Sequence, residues 1–277
     1  MQQDYLRPTS LEAALAALPG RQVLAGGTDI LPAEAGAQAW LRHTPRPLLD
    51  ISALPGLNGI EASATHLRIG ALVTWAQLRR AALPPGFAGL QQAAAQVGGA
   101  QVQNRATLLG NLCNASPAAD GVPPLLTLGA EIELASPKAR RTLPLASFLH
   151  GNRSTALAPN ELALALLLPL PPATARAGFL KLGARSHLVI SIAMAAALIH
   201  VENGIIQHAR LAIGACSAVA QRLPLAEAAL LGQPANPALL LPEHLDALTP
   251  IDDVRAPATY RRHAALTLLR RLLETLA

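Results

Sequence analysis

The sequence predicts an α+β chain in three pieces, and three observations carry that prediction. A helix-strand-turn-helix-strand succession fills residues 5–51, strands and turns mixed with helices fill residues 60–168, and paired strands give way to a helical tail after residue 177. Clusters of turn formers mark the two joints, Pro55-Gly56-Leu57-Asn58-Gly59 and Pro169-Leu170-Pro171-Pro172. The expected pieces are therefore 1–55, a small α/β unit, 56–172, a larger α+β unit, and 173–277, an antiparallel sheet with helices. With 277 residues, 51% of them hydrophobic and 14% charged, the chain has ample apolar surface for such cores.

The first helix follows from Leu11, Ala14, Leu15 and Leu18 at helical spacing, opened by Thr9 and Glu12 as a capping box and closed by Pro19-Gly20. Residues 22–25 then read as a strand, Gly26-Gly27-Thr28 as a turn, 29–41 as a helix that tolerates Pro32 in its first turn, and 47–51 as a strand. In the second piece, 60–62 and 66–69 are the arms of a hairpin. Thr74 and Gln77 open a helix by the same capping logic, and another helix over 87–97 stops at Gly98-Gly99. Residues 102–120 show neither helical nor strand period and are dense in Asn, Ser, Thr and Pro. The backbone polar groups of so long an irregular segment need partners, which a ligand or the segment's own side chains can supply.

Strands over 130–134 and 162–168 follow, with a turn at Ser136-Pro137-Lys138 after the first. In the third piece, strands are expected over 177–182, 191–201 and 205–215, the last two joined at the hairpin signal Glu202-Asn203-Gly204. From Pro224 the tail reads as helical, ending over 259–276 with Leu266, Leu269, Leu272, Leu273 and Leu276 on one broad, core-facing side.

Composition excludes several functions. Aromatics are 3% of the chain, too few for a base-stacking nucleic-acid platform. The net charge of +5 is spread as pairs, Arg79-Arg80, Arg140-Arg141, Arg261-Arg262 and Arg270-Arg271, rather than gathered in a block. Two distant cysteines, Cys113 and Cys216, make no disulfide framework and no cysteine-ligated metal or iron–sulfur site. The start of the chain lacks a basic and an apolar signal region, and the apolar run 188–199 is too short to span a bilayer, so a cytoplasmic protein without membrane contact is expected. The eight histidines, His43 and His187 among them, are scattered, and no catalytic triad or paired-carboxylate arrangement stands out.

The stretch with chemical content is Leu24-Ala25-Gly26-Gly27-Thr28-Asp29-Ile30, a glycine turn between strand and helix that suits a phosphate, because glycines bare the backbone and amides at a helix start attract anions. Paired with the later run from Ala106-Thr107-Leu108-Leu109-Gly110-Asn111 to Ser116-Pro117-Ala118-Ala119-Asp120, it resembles the FAD-binding medium subunit of the molybdenum hydroxylases, the xanthine dehydrogenase and carbon monoxide dehydrogenase family. The opening Tyr5-Leu6-Arg7-Pro8-Thr9-Ser10, Phe179-Leu180-Lys181-Leu182-Gly183 and Asp252-Asp253-Val254-Arg255-Ala256 extend the resemblance along nearly the whole chain.

The resemblance implies a vanillyl-alcohol-oxidase (PCMH)-type FAD-binding fold in two pieces, followed by the C-terminal sheet. It implies FAD contacts at Leu24, Ala25, Gly26, Gly27, Thr28, Asp29 and Ile30, then at Val102, Thr107, Gly110, Asn111, Ser116 and Asp120, with Leu162 and Lys181 near the adenine or isoalloxazine edges. Asp120 would accept from a ribose hydroxyl and Lys181 would place a positive charge near the flavin. The family's usual Gly-Gly pair before Asn is Leu109-Gly110 here, so the Leu109 side chain must point away from the ligand or displace it slightly. The function so implied is an electron-transfer flavoprotein subunit. It would take electrons from a small [2Fe-2S] subunit in a complex with a large molybdenum-cofactor subunit and pass them to NAD⁺, oxygen or another acceptor, with no catalytic or metal-binding side chain of its own. A free-standing flavin oxidase and a flavin-less structural subunit are the alternatives.

Overall fold

A computed structural model describes residues 5–39, 46–186 and 188–277; the expected helix end at residues 40–41, together with His43 and His187, lies outside them. Five short elements make the first sheet and its cover: β1 (Tyr5–Leu6), α1 (Leu11–Ala17), β2 (Gln22–Leu24), α2 (Ile30–Ala39) and β3 (Leu48–Asp50). The strands run parallel in the order β1-β3-β2. Ser10, not Thr9, caps α1: its backbone is extended and its hydroxyl accepts the Ala13 amide at 3.2 Å, so the capping pair expected from Thr9 and Glu12 is set one residue too early.

The second piece contains β4 (Ile60–Ala62), β5 (His66–Gly70), α3 (Trp75–Arg80), α4 (Ala88–Gln96), α5 (Ala100–Gln103), α6 (Leu108–Asn114), α7 (Val122–Leu128), β6 (Glu131–Ala135), β7 (Arg140–Pro144), α8 (Leu145–Phe148), β8 (Leu149–Gly151), β9 (Ser154–Thr155) and β10 (Leu162–Pro169). Its main sheet is antiparallel in the order β4-β5-β10-β6-β7, so the apolar β10 is central. The capping box at α3 forms as expected, with Thr74 Oγ1 accepting the Gln77 amide at 3.2 Å and Gln77 Oε1 accepting the Thr74 amide at 2.8 Å. The segment expected to be irregular holds α5 and α6. Helices of 4 and 7 residues are too short to show a period and exist through capping and packing. One apolar core, from Ala14 and Leu49 through Trp75 and Leu109 to Leu168, unites the first two pieces.

The third piece is a meander of β11 (Arg176–Leu182), β12 (Ala193–Glu202), β13 (Ile205–Gly214) and β14 (Gln221–Arg222), followed by α9 (Pro224–Leu230) and α10 (Ala258–Leu276). Asn203 and Gly204 both have positive φ, 51° and 77°, the conformation of the tight hairpin turn the sequence calls for. The tail is less helical than expected, because prolines at 234, 237, 242, 250 and 257 interrupt it between α9 and α10. All five leucines of the α10 stripe are buried. Among the described residues no helix is long and apolar enough to cross a membrane.

Helix α4 makes one of the junctions between the third piece and the rest. Helix α4 lies so close on β11 that a Cβ on Gly89 would come 2.9 Å from the Gly178 carbonyl oxygen, and the Gln92 side chain accepts the Phe179 amide at 2.7 Å. Within the piece, the Arg261 side chain is 3% exposed and donates to the Ile192 carbonyl at 2.7 Å, the Ala215 carbonyl at 3.1 Å and the Asp253 carboxylate at 2.6 Å. Arg261→Met leaves the Ile192 and Ala215 carbonyls without this donor, while Asp253 keeps Arg255 and the Ala256 amide, so the substitution should cost about 1–3 kcal/mol. Urea unfolding should show a lower midpoint at an unchanged slope; an unchanged midpoint would mean that Arg261 does not tie α10 to the sheet.

Candidate functional site

The β2 strand ends where Leu24 accepts the Ile51 amide at 3.0 Å, and the chain then turns away from the sheet toward α2. The two glycines of that turn answer different constraints. Gly27 sits at φ +76°, where L side chains are strained. Gly26 has ordinary φ, but a Cβ there would lie 2.1 Å from the Arg105 carbonyl oxygen and 3.0 Å from the Ala106 Cα. The second loop's backbone thus lies directly against Gly26, and only a residue without a side chain allows the approach.

The amide N–H groups of Ala25, Gly26, Gly27, Thr28 and Asp29 donate to no protein group among the described residues. They lead into α2, a helix of 10 residues, so a row of unpaired donors and a helix start share one place. Opposite them, Thr107 is 5% exposed and caps α6, its hydroxyl accepting the Gly110 amide at 3.1 Å. A Cβ on Gly110 would come 2.6 Å from that hydroxyl, so the cap accounts for the glycine. The loops are also tied by side chains: Asn114 Nδ2 donates to Asp29 Oδ1 at 3.2 Å across 85 residues of sequence.

A cavity of about 410 Å³ lies between them. Of the residues the sequence singles out, Ala25, Gly26, Gly27, Thr28, Asp29, Ile30, Val102, Thr107, Gly110, Asn111 and Leu162 line it. Leu24, Ser116, Asp120 and Lys181 do not. Leu24 packs beneath the turn, its Cδ1 3.3 Å from a Cβ placed on Gly27, and the Ser116 hydroxyl accepts the Ala118 amide at 3.3 Å. Asp120 is buried and both its oxygens are engaged, by Lys181 Nζ at 2.6 Å and by the Ser191 hydroxyl at 2.6 Å. Burial pushes its carboxyl up, against the pull of the Lys181 ammonium and the Ser191 hydroxyl. The Lys181 charge therefore faces a carboxylate, at the junction of the second and third pieces.

Leu109 is 2% exposed and belongs to the shared core, and it also lines the cavity, so its side chain is part of the apolar wall a ligand would meet. Sequence reasoning missed several wall residues: Trp75, Cys113, Asn114 and Glu161 also line the cavity. Two of them carried a signal, since Trp75 follows the Thr74 cap and Glu161 precedes Leu162 in the strand-like run. Burial pushes the Cys113 thiol up to about 12, which makes it an inert wall group at neutral pH.

Among the described residues no lysine or arginine lines the cavity, and its acidic groups are Asp29 and Glu161. An anion here must be met by backbone amides, as the unpaired row from Ala25 to Asp29 allows. Trp75 Nε1 and Asn111 Oδ1, on two wall residues, are buried without a hydrogen-bond partner. Unpaired polar groups around an apolar slot walled by Val23, Ile30, Val102, Leu157 and Leu162 suit a guest with a phosphate, polar edges and flat rings. Among the described residues no group of three or more His, Cys, Asp or Glu side chains is placed to hold a metal ion.

Residues 1–171 match the family described as the FAD binding domain in molybdopterin dehydrogenase, and residues 178–276 match the CO dehydrogenase flavoprotein C-terminal domain. The chain is 30% identical over 280 residues to the xanthine dehydrogenase FAD-binding subunit of Escherichia coli O157:H7, covering 98% of this chain and 94% of that one. It is 30% identical over 258 residues to the nicotinate dehydrogenase FAD-subunit of Eubacterium barkeri, covering 90% and 84%. The fold matches a chain of the reconstituted CO dehydrogenase from Oligotropha carboxidovorans with a TM-score of 0.91 at 27% identity, covering 100% of this chain and 98% of that one.

The two glycines should respond differently to alanine. Gly26→Ala drives a methyl into backbone and should cost about 1–3 kcal/mol, whereas Gly27→Ala pays the left-handed strain of about 1–2 kcal/mol and meets only the side-chain ends of Leu31 and Leu24. Thermal unfolding should rank Gly26→Ala below Gly27→Ala, and the reverse order would contradict the contact between the loops.

Proposed function

We infer the function of this chain from its family: it belongs to the FAD-binding medium subunits of the molybdenum hydroxylases. Within that family the reading adds which residues hold the cofactor. The observation that carries it is the row of unpaired amides from Ala25 to Asp29, which faces the cavity that Thr107, Gly110 and Asn111 close from the other side. These amides would hold the pyrophosphate at the start of α2. Asn111, with its unpaired Oδ1, would meet a hydroxyl of the cofactor, while Ile30, Val102 and Leu162 would flank a ring.

Ser116, Asp120 and Lys181 lie outside the cavity wall, so in this reading the second half of FAD would extend past its mouth toward them. Ser116, Asp120 and Lys181 would border that half from the junction with the third piece, Lys181 acting there as one end of an ion pair, with its positive charge largely offset. Leu24 would support the turn from below.

The chemistry FAD supplies when bound is exchange of one or two electrons, which links one-electron donors to two-electron acceptors. The chain's own residues position and shield the cofactor. The names of the relatives, FAD-binding subunit and FAD-subunit, support a chain that works in a complex. In that complex a small [2Fe-2S] subunit would supply electrons, a large molybdenum-cofactor subunit would transform the substrate, and NAD⁺, oxygen or another acceptor would receive them. The test is colour. The purified chain should be yellow and should release about one FAD per chain on denaturation; a colourless chain and a colourless complex would exclude the flavoprotein reading.

A further inference from the structure

We propose that Glu161 is the hydrogen-bond acceptor for the adenosine half of the bound cofactor, receiving a sugar hydroxyl or the adenine amine. The proposal rests on the FAD reading and adds a residue to it. Glu161 forms an ion pair with Arg141 in which only the acid reaches the cavity: Glu161 is among the wall residues, whereas Arg141 is not and its side chain is 45% exposed. Arg141 Nε donates to Oε1 at 2.7 Å, and Arg141 Nη2 and the Ala158 amide donate to Oε2 at 2.8 and 2.9 Å. A carboxylate has about four acceptor positions, so Oε1 keeps a free lone pair while the three bonds lock its orientation. Because Arg141 balances the charge, the pair favours a neutral donor over a second cation.

The rest of the cavity agrees with this polarity. A carboxylate repels phosphate, and the unpaired amides that suit phosphate belong to the Ala25–Asp29 turn. Leu162 and Ala163 follow Glu161 directly along β10, giving that wall an apolar surface beside its acceptor, the pairing an adenosine presents in mirror image. Asp29, the other acid of the wall, is exposed and already accepts from Asn114.

The test compares FAD with three analogues, one with hypoxanthine for adenine and two lacking the 2′- or the 3′-hydroxyl of the adenosine sugar. Each is titrated into flavin-free chain and followed by flavin fluorescence. The wild-type chain should bind at least one analogue about tenfold or more weakly than FAD, because the acceptor is left unpaired. Glu161→Gln, and Glu161→Asp as a second variant that withdraws the carboxylate, should lose a similar factor for FAD and bind that analogue as they bind FAD. Equal wild-type affinity for FAD and all three analogues overturns the proposal, whether or not the variants fold, as does a Glu161 variant that keeps the preference. A wild-type chain that binds no FAD overturns the flavoprotein reading instead.

Discussion

Two loops about eighty residues apart in sequence meet backbone to backbone at Gly26 and Arg105, and the cavity exists because they do. A side chain at residue 26 would hold the Arg105 carbonyl away and open the slot between the Ala25–Asp29 turn and the Thr107 cap. The contact is unforgiving because both partners are main chain, which cannot change rotamer to make room. Everything the site offers a ligand follows from this closure: amides on one side, the Thr107–Asn111 turn on the other, and the Asn114–Asp29 hydrogen bond across the gap.

The surrounding fold keeps that contact in register. The parallel sheet that launches the first loop and the antiparallel sheet behind the second share one core, which holds Leu108 and from which Trp75 and Leu109 reach the cavity wall. The third piece adds a different kind of constraint. Its β11 strand lies against α4 through Gly89 and Gly178, and its Lys181 and Ser191 fix Asp120 at the far end of the second loop. Arg261 holds in place the carbonyl of Ile192, the neighbour of Ser191. Polar groups buried at this junction give it definite geometry more than net stability, since a buried pair of charges spends much of its attraction on desolvation.

Much of this was legible in the sequence. Strand-turn-helix order, the Thr74 capping box, the Asn203-Gly204 hairpin and the leucine stripe of the last helix all follow from local periodicity and turn chemistry. The same reasoning located both loops and part of the cavity wall. It failed where tertiary contacts decide. The helices within 102–120 are too short to carry a period, and the tail's prolines broke a stretch whose leucines alone read as helix. Gly26 is expected to bare amides to a ligand, and the structure adds a second reason for the glycine, the backbone of the neighbouring loop. Asp120 and Lys181 are expected near the ligand, and no sequence pattern announces that residues 61 apart also pair with each other. Glu161 and Trp75 were missed because their place in the wall depends on how the sheet is ordered.

The central claim is that both loops hold one ligand together, and hydrogen–deuterium exchange of the chain with and without FAD tests it most directly. Residues 25–30 and 107–111 should lose exchange in parallel when FAD is added, since both stretches line the same cavity. Protection of one stretch without the other, or of neither, would contradict the account.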